Sequence, residues 1–322
     1  MDIPGMILHY LLLIFTASAA LINFLTICVI LASSQLRKRQ NVFAFNLALA
    51  DCLAGVLIFV RSLGPLLDEG AANRIDEASW IEPVFIAALL VSLSSVLAIA
   101  FHRYIVVRLD PFGQRGIATL PRLIVVCVII WAIFLTVYLT VSMTVQYYFV
   151  SLFMSSILIM VFLVLTSICY VLIYRSIALT PTDHEGRGDS LLAKRTQEQK
   201  RIICTFALIV GISFVCWFPM CIILLLEYHV EAVHDLDWFW YISDTAFCLV
   251  ALSGVIDPVI YWIRLREFRG VLLSCCRKSS QSDQTLGLTD TDVNIISEVN
   301  QGHANGNKKL MHMNDVGIVN NI

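Results

Sequence analysis

Long apolar runs separated by short polar stretches recur seven times along the chain. They cover Met6–Leu31, Val42–Val60, Pro83–Val107, Leu123–Met143, Phe149–Ile173, Ile202–Leu226 and Trp238–Ile263. A helix needs about 20 mostly apolar residues to cross a ~30 Å hydrocarbon core, and these runs qualify. Their length, and their lack of strict alternation, sets them apart from the ~10-residue strands of a membrane barrel. After the seventh run, Leu265, Phe268, Val271, Leu272 and Leu273 are interleaved with Arg264, Arg266, Glu267 and Arg269. That pattern predicts a short amphipathic helix lying on a leaflet. The fold class is therefore all-α integral membrane: a seven-transmembrane helix bundle with a short amphipathic eighth helix. Residues 1–276 form the membrane domain. Residues 277–322 are polar, rich in Ser, Thr, Asn and Gly, and read as a disordered cytoplasmic tail.

Composition strengthens this reading. The chain is 58% hydrophobic and 14% charged, with a mean hydropathy of +0.80. Soluble domains are closer to 45–50% apolar and about 25% charged. A net charge of -2 excludes nucleic acid as a partner, since that needs a strong basic excess. Of the 22 lysines and arginines, all but Arg61 and Arg74 fall in the loops after spans one, three and five or after span seven. The positive face is the cytoplasmic one, so the N-terminus is extracellular and the C-terminus cytoplasmic. Span one, with no basic stretch before it, is expected to act as an uncleaved signal anchor. No cysteine falls in an extracellular loop, so no extracellular disulfide is expected. Cys275 and Cys276, at the end of the amphipathic stretch, are candidates for lipidation.

Polar groups inside the bilayer are costly, so each points to function. Asn23, Asp51, Ser92, Ser253 and Asp257 all lie within spans. Their oxygens suit a hard cation such as sodium, with Asp51, Ser92 and Asp257 as ligands. The same groups would equally serve a hydrated hydrogen-bond network between helices. Pro219 and Pro258 interrupt spans six and seven, and a proline kink is a ready hinge.

Read in order, the spans carry further signatures. Span two has Asn46-Leu-Ala-Leu-Ala-Asp51, and span three ends in Ser94-Ser-Val-Leu-Ala-Ile-Ala-Phe-His102-Arg103-Tyr104. Trp131 lies in span four and Tyr170 in span five. Span six has Cys216-Trp217-Phe-Pro219, and span seven Asp257-Pro258-Val-Ile-Tyr261. In this set and order the chain resembles the rhodopsin-like (class A) G-protein-coupled receptors, from Met6 to Cys276. The pattern is nearest to the melanocortin, lysolipid, cannabinoid and adenosine branches. The resemblance implies a receptor that passes an extracellular signal to a heterotrimeric G protein by movement of helix six. Arrestin is a further partner, and membrane lipid surrounds the bundle. It makes Arg103 the arginine that meets the G protein and Trp217 the switch beneath the ligand. Tyr170 and Tyr261 would turn inward in the active state. Asp51, Ser92, Ser253 and Asp257 would line an allosteric sodium site. No other cofactor is implied, and no enzymatic activity.

Three departures from the family pattern carry consequences. His102 replaces the carboxylate that precedes the arginine, which implies raised basal activity. Ala78 stands where the family has a cysteine atop helix three, and Phe162 replaces the helix-five proline. Phe85 replaces the amine receptors' aspartate and Ala251 the opsins' retinal lysine, so amines and light drop out.

Arg61, Glu82, Phe85, Trp217, Cys221, Asp244 and Phe247 are the candidate ligand contacts. The outer segments are acidic, with Asp68, Glu69, Asp76, Glu77, Glu82, Glu227, Glu231, Asp235, Asp237 and Asp244. They would attract a basic peptide, whereas Arg61 and Glu82 together would clamp a lysolipid or other zwitterionic small molecule. A transporter or channel is the competing class. The chain shows no inverted repeat and no charged pore ring to favour it.

Overall fold

A computed structural model describes residues 3–67, 70, 78–109, 116, 118–142, 148–178, 189–230, 236–264, 268, 270 and 271. Every helix or strand element in it is helical. The seven long helices are α1 (Ile3–Ala32), α2 (Val42–Leu63), α3 (Ile81–Tyr104), α4 (Leu120–Ser142), α5 (Tyr148–Ala178), α6 (Asp189–His229) and α7 (Asp237–Arg264). All seven are long and apolar enough to cross a membrane. Short 3-10 turns at Arg39–Asn41 and Gly64–Leu66 flank α2, and a π-helical turn, Ile105–Leu109, continues α3.

The expected spans and observed helices agree to within a few residues, with one exception. The sixth run predicts a start at Ile202, yet α6 begins at Asp189. Residues 191–201 are rich in Leu, Ala, Lys, Arg, Gln and Glu, all good helix formers. The helix therefore continues past the membrane, where hydropathy no longer marks it. Cys275, Cys276, the tail, most of the amphipathic stretch and the side chain of Tyr261 lie outside the described residues.

In sequence order the helices form a ring around α3. α1 packs on α2 and α7, α6 lies between α5 and α7, and α3 touches α2, α4 and α5. Lipid is as apolar as leucine, so close packing and interhelical hydrogen bonds hold such a bundle together. α1 and α2 approach at Gly55, where a Cβ would lie 2.9 Å from the Ala20 backbone nitrogen and 3.0 Å from the Thr16 carbonyl oxygen. α4 is the most lipid-exposed helix, with Val125, Val128, Ile129 and Ile133 all turned outward.

Polar clamps cross the interior. Asn46 donates to Ser95 Oγ at 2.8 Å and accepts from Trp131 Nε1 at 3.0 Å, joining α2, α3 and α4. Trp262 Nε1 donates to Thr26 Oγ1 at 3.0 Å, joining α7 to α1. Tyr138 and Ser155 share a 2.5 Å hydrogen bond between α4 and α5.

Asn23 has a more specific task. Pro258 lacks an N–H, so the Gly254 carbonyl four residues earlier loses its helical donor. Asn23 Nδ2 from α1 supplies one, at 2.8 Å, while also donating to its own helix at Ala19 O, 2.9 Å. A side chain on one helix thus completes the broken backbone ladder of another.

Candidate functional site

The site comprises three stacked spaces. The outer one is a cavity of about 400 Å³ among α1, α2, α3, α5, α6 and α7. Its floor is aromatic: Phe85 and Phe247 lie with ring centroids 5.8 Å apart, beside Trp217. Its polar wall carries Arg61, Glu82, Glu227 and Asp244, with His9 from α1. The rim therefore holds three carboxylates against one arginine.

Six of the seven residues expected to meet a ligand line this cavity: Arg61, Glu82, Phe85, Trp217, Asp244 and Phe247. Cys221 does not. It is 1% exposed and packs in the core cluster with Leu90, Trp217 and Val250. The lining residues of α6 are Trp217, Met220, Leu224 and Glu227. Their three- and four-residue spacing marks one helical face, and it was available in the sequence as the signal for Met220 and Leu224. His9 and Ser155, lone polar residues near helix ends, gave no comparable signal.

Beneath that floor is a smaller cavity, about 40 Å³, lined by Thr16, Asp51, Ser253 and Gly254 among others. Trp217, Phe85 and Phe247 border both spaces and form the wall between them. Ser92 hydrogen-bonds the Asp51 carboxyl, and Asp257 lies close enough to feel its charge. Asp51 Oδ2 and Asp257 Oδ1 are buried with no hydrogen-bond partner. A buried carboxylate oxygen is expensive to leave unpaired, so this region demands a cation, a proton or water. About 40 Å³ exceeds the ~10–15 Å³ needed for one water. Asn23 and Ser253 are already engaged, with Gly254 O and Val250 O respectively.

The third space opens at the end of α3. Arg103 lies within electrostatic reach of the Tyr170 hydroxyl, which is buried and unpartnered. His102 is buried and meets Phe43 edge-on, ring centroids 6.2 Å apart. Tyr104 is the last residue of α3 before the π-helical turn. Pro219 lies inside α6, two residues past Trp217, and Pro258 inside α7, next to Asp257.

Residues 22–261 match the family described as 7 transmembrane receptor (rhodopsin family). The chain is 23% identical to sphingosine 1-phosphate receptor 3 of Takifugu rubripes, across 82% of this chain and 71% of that protein. It is 23% identical to cannabinoid receptor 1 of Taricha granulosa, across 88% of this chain and 64% of the relative. It is 22% identical to proteinase-activated receptor 1 of Xenopus laevis, across 83% and 66%. The chain thus spans less than two thirds of the length of the last two.

Proposed function

We infer, on the premise that the chain belongs to the rhodopsin family of seven-transmembrane receptors, that it relays an extracellular ligand signal to heterotrimeric G proteins by movement of α6. The observation that carries this reading is the shared wall. A ligand in the outer cavity presses on Trp217 and Phe247, and the same side chains bound the polar cavity below. Pro219 supplies the hinge just beyond Trp217. A swing of α6 would free the space beside Tyr170 and Arg103 for a G protein. A ligand shifts this equilibrium only by its differential affinity for the two conformations. The N-terminus is extracellular and the C-terminus cytoplasmic, in the plasma membrane, with arrestin as a further partner of the cytoplasmic face.

The test is ligand-free G-protein activation in cells, read through cyclic AMP and calcium, with Arg103→Ala as control. A basal signal lost in Arg103→Ala supports coupling. A signal unchanged by that substitution overturns the role of Arg103.

The ligand the cavity fits best is an amphiphile. Its apolar body would cover the Phe85–Phe247 floor and its polar head would meet Arg61 and Glu82. The names of the sphingosine 1-phosphate and cannabinoid receptors point to lipid-like ligands in similar proteins. A basic peptide is the second reading, favoured by the three rim carboxylates. Arg61→Ala should abolish the response to a lysophospholipid and leave that to a basic peptide intact.

Asp51, Ser92, Ser253 and Asp257, with Asn23 alongside, are suited to holding a sodium ion. The unpartnered oxygens of Asp51 and Asp257 support this. Among the described residues no three His, Cys, Asp or Glu side chains converge on one point. Two carboxylates, hydroxyls and water therefore suit a weakly held monovalent ion better than a transition metal. The bound ion would supply positive charge between the carboxylates. The chain's own residues position those carboxylates: Ser92 bonds Asp51, and Asn23 braces the kinked turn that precedes Asp257.

A further inference from the structure

The outer cavity has a polar corner that a clamp of Arg61 and Glu82 does not use. It lies at the seam of α1 and α7, where His9 and Asp244 both line the space. The imidazole is close enough to act electrostatically on the Asp244 carboxyl. The two are not joined through Nε2, because that nitrogen is buried with no hydrogen-bond partner. Cys248, one turn beyond Asp244 on α7, donates its thiol to the Leu8 carbonyl at 3.7 Å. That contact ties α7 to the residue next to His9, so the two backbones hold the pair in register. His9 is half-buried. The terminal torsion of a histidine is soft, so a modest ring rotation turns Nε2 toward an incoming group.

A buried polar atom without a partner is costly, and a group that bonds both side chains would relieve it. A neutral imidazole with its proton on Nδ1 offers a lone pair at Nε2, and a carboxylate only accepts. Two acceptors call for a group with at least two donors. Water has two donors but no charge. A primary ammonium has three, and its charge offsets the carboxylate. An imidazolium would instead donate to an anion, but Glu82, Glu227 and Asp244 share the cavity and would repel one. We propose that His9 and Asp244 form an ammonium subsite, and that the amphiphile this cavity takes carries a primary amine beside its anionic group. The anion goes to Arg61 and the amine to the α1–α7 seam. An amphiphile with a hydroxyl or an acylated amine at that place leaves Nε2 unpaired or the carboxylate unbalanced. His9 is then a specificity residue. The proposal rests on the reading of the outer cavity as an amphiphile site and is independent of coupling to a G protein.

The test is equilibrium binding to the full chain, purified in a nonionic maltoside detergent. The probes are a radiolabelled long-chain 2-aminoalkyl phosphate and its N,N,N-trimethyl and N-acetyl derivatives. The trimethyl probe keeps the charge and loses every donor, and the N-acetyl probe loses the charge. The parent should bind the primary amine about tenfold more tightly than the trimethyl probe, as a charge-assisted hydrogen bond predicts. His9→Phe should weaken the primary amine by about tenfold. It should leave the trimethyl probe within about twofold, as an uncoupled change does. His9→Gln, which returns an acceptor, should recover part of the loss. Asp244→Asn should weaken both cationic probes and spare the N-acetyl one. Continued binding of the trimethyl probe shows that a variant is folded. If His9→Phe weakens all three probes equally, or the parent does not separate primary from trimethyl, the subsite is overturned and the amphiphile reading of the cavity stands. Saturable binding of none of them overturns both. Pentalysine carries ammonium groups without an apolar body, and equally tight binding of it would overturn the lipid assignment.

Discussion

Asn23 and Pro258 should be energetically coupled although they lie on different helices. Pro258 strips the Gly254 carbonyl of its helical donor, and Asn23 replaces that donor at 2.8 Å. Asn23→Ala would leave the carbonyl unpaired between α1 and α7. In a soluble core such a loss costs about 1–3 kcal/mol. Interhelical bonds in membranes average about 0.6 and reach about 1.7 kcal/mol, because the unfolded chain also finds partners. A cost of about 1–1.5 kcal/mol is expected, or roughly 2–6 °C in melting temperature at ~2–4 °C per kcal/mol. Pro258→Ala restores an N–H to the Gly254 carbonyl within α7. In that background Asn23→Ala should cost at least about 0.5 kcal/mol less. A thiol-reactive fluorophore can follow the unfolding, since Cys127, Cys216, Cys221 and Cys248 are buried. Equal costs in the two backgrounds would refute the backbone-repair argument and reduce Asn23 to a packing residue.

Other substitutions test the remaining links. Gly55→Ala forces a Cβ onto the α1 backbone and should cost about 1–3 kcal/mol or more in stability and reduce surface expression. Gly254→Ala meets only Ala19 Cβ at 3.5 Å and should melt within a degree or two of the parent. Trp131→Phe removes the donor to Asn46 Oδ1 and should lower the melting temperature by about 1–7 °C, at ~0.6–1.7 kcal/mol for the bond. Sodium should raise the melting temperature of the parent relative to potassium, and Asp51→Asn should erase the difference. His102→Asp places a carboxylate beside Arg103 and should lower ligand-free signalling at equal surface expression; unchanged signalling would show that His102 does not weaken the inactive state.

Hydropathy made the seven spans legible because membrane helices must hide their backbone polar groups within one apolar segment. It could not show that α6 starts at Asp189, because that stretch obeys helix propensity in water. The polar residues of the interior were legible one at a time, since each stands out in an apolar run. Their pairings were less so. The link from Asn23 to Gly254 follows from Pro258 only once α1 and α7 are known to touch. The Gly55 contact leaves no trace in a hydrophobic pattern, because a glycine between apolar residues looks the same in a tight crossing as in a loose one. Cys221 shows the limit of reading a helix by neighbourhood. It lies one residue from Met220, yet the ~100° turn between them puts Met220 on the cavity and Cys221 in the core.

The polar atoms inside the bundle fall into two groups, and the division is physical. Asn23, Asn46, Trp131 and Trp262 have their bonds made, and they join α1, α2, α3, α4 and α7. Asp51 Oδ2, Asp257 Oδ1 and the Tyr170 hydroxyl are buried without partners. Asp51 lines the small cavity beneath the Trp217 wall, Asp257 lies close enough to feel its charge, and the tyrosine is within electrostatic reach of Arg103. An unpaired buried group is unfavourable in one conformation and gains from any other that pairs it. The bonded set favours the arrangement seen here, and the unbonded set is where a cation, a proton, water or a rearrangement would gain most. In the receptor reading proposed above, a ligand contact at Trp217 would act on this unbonded set.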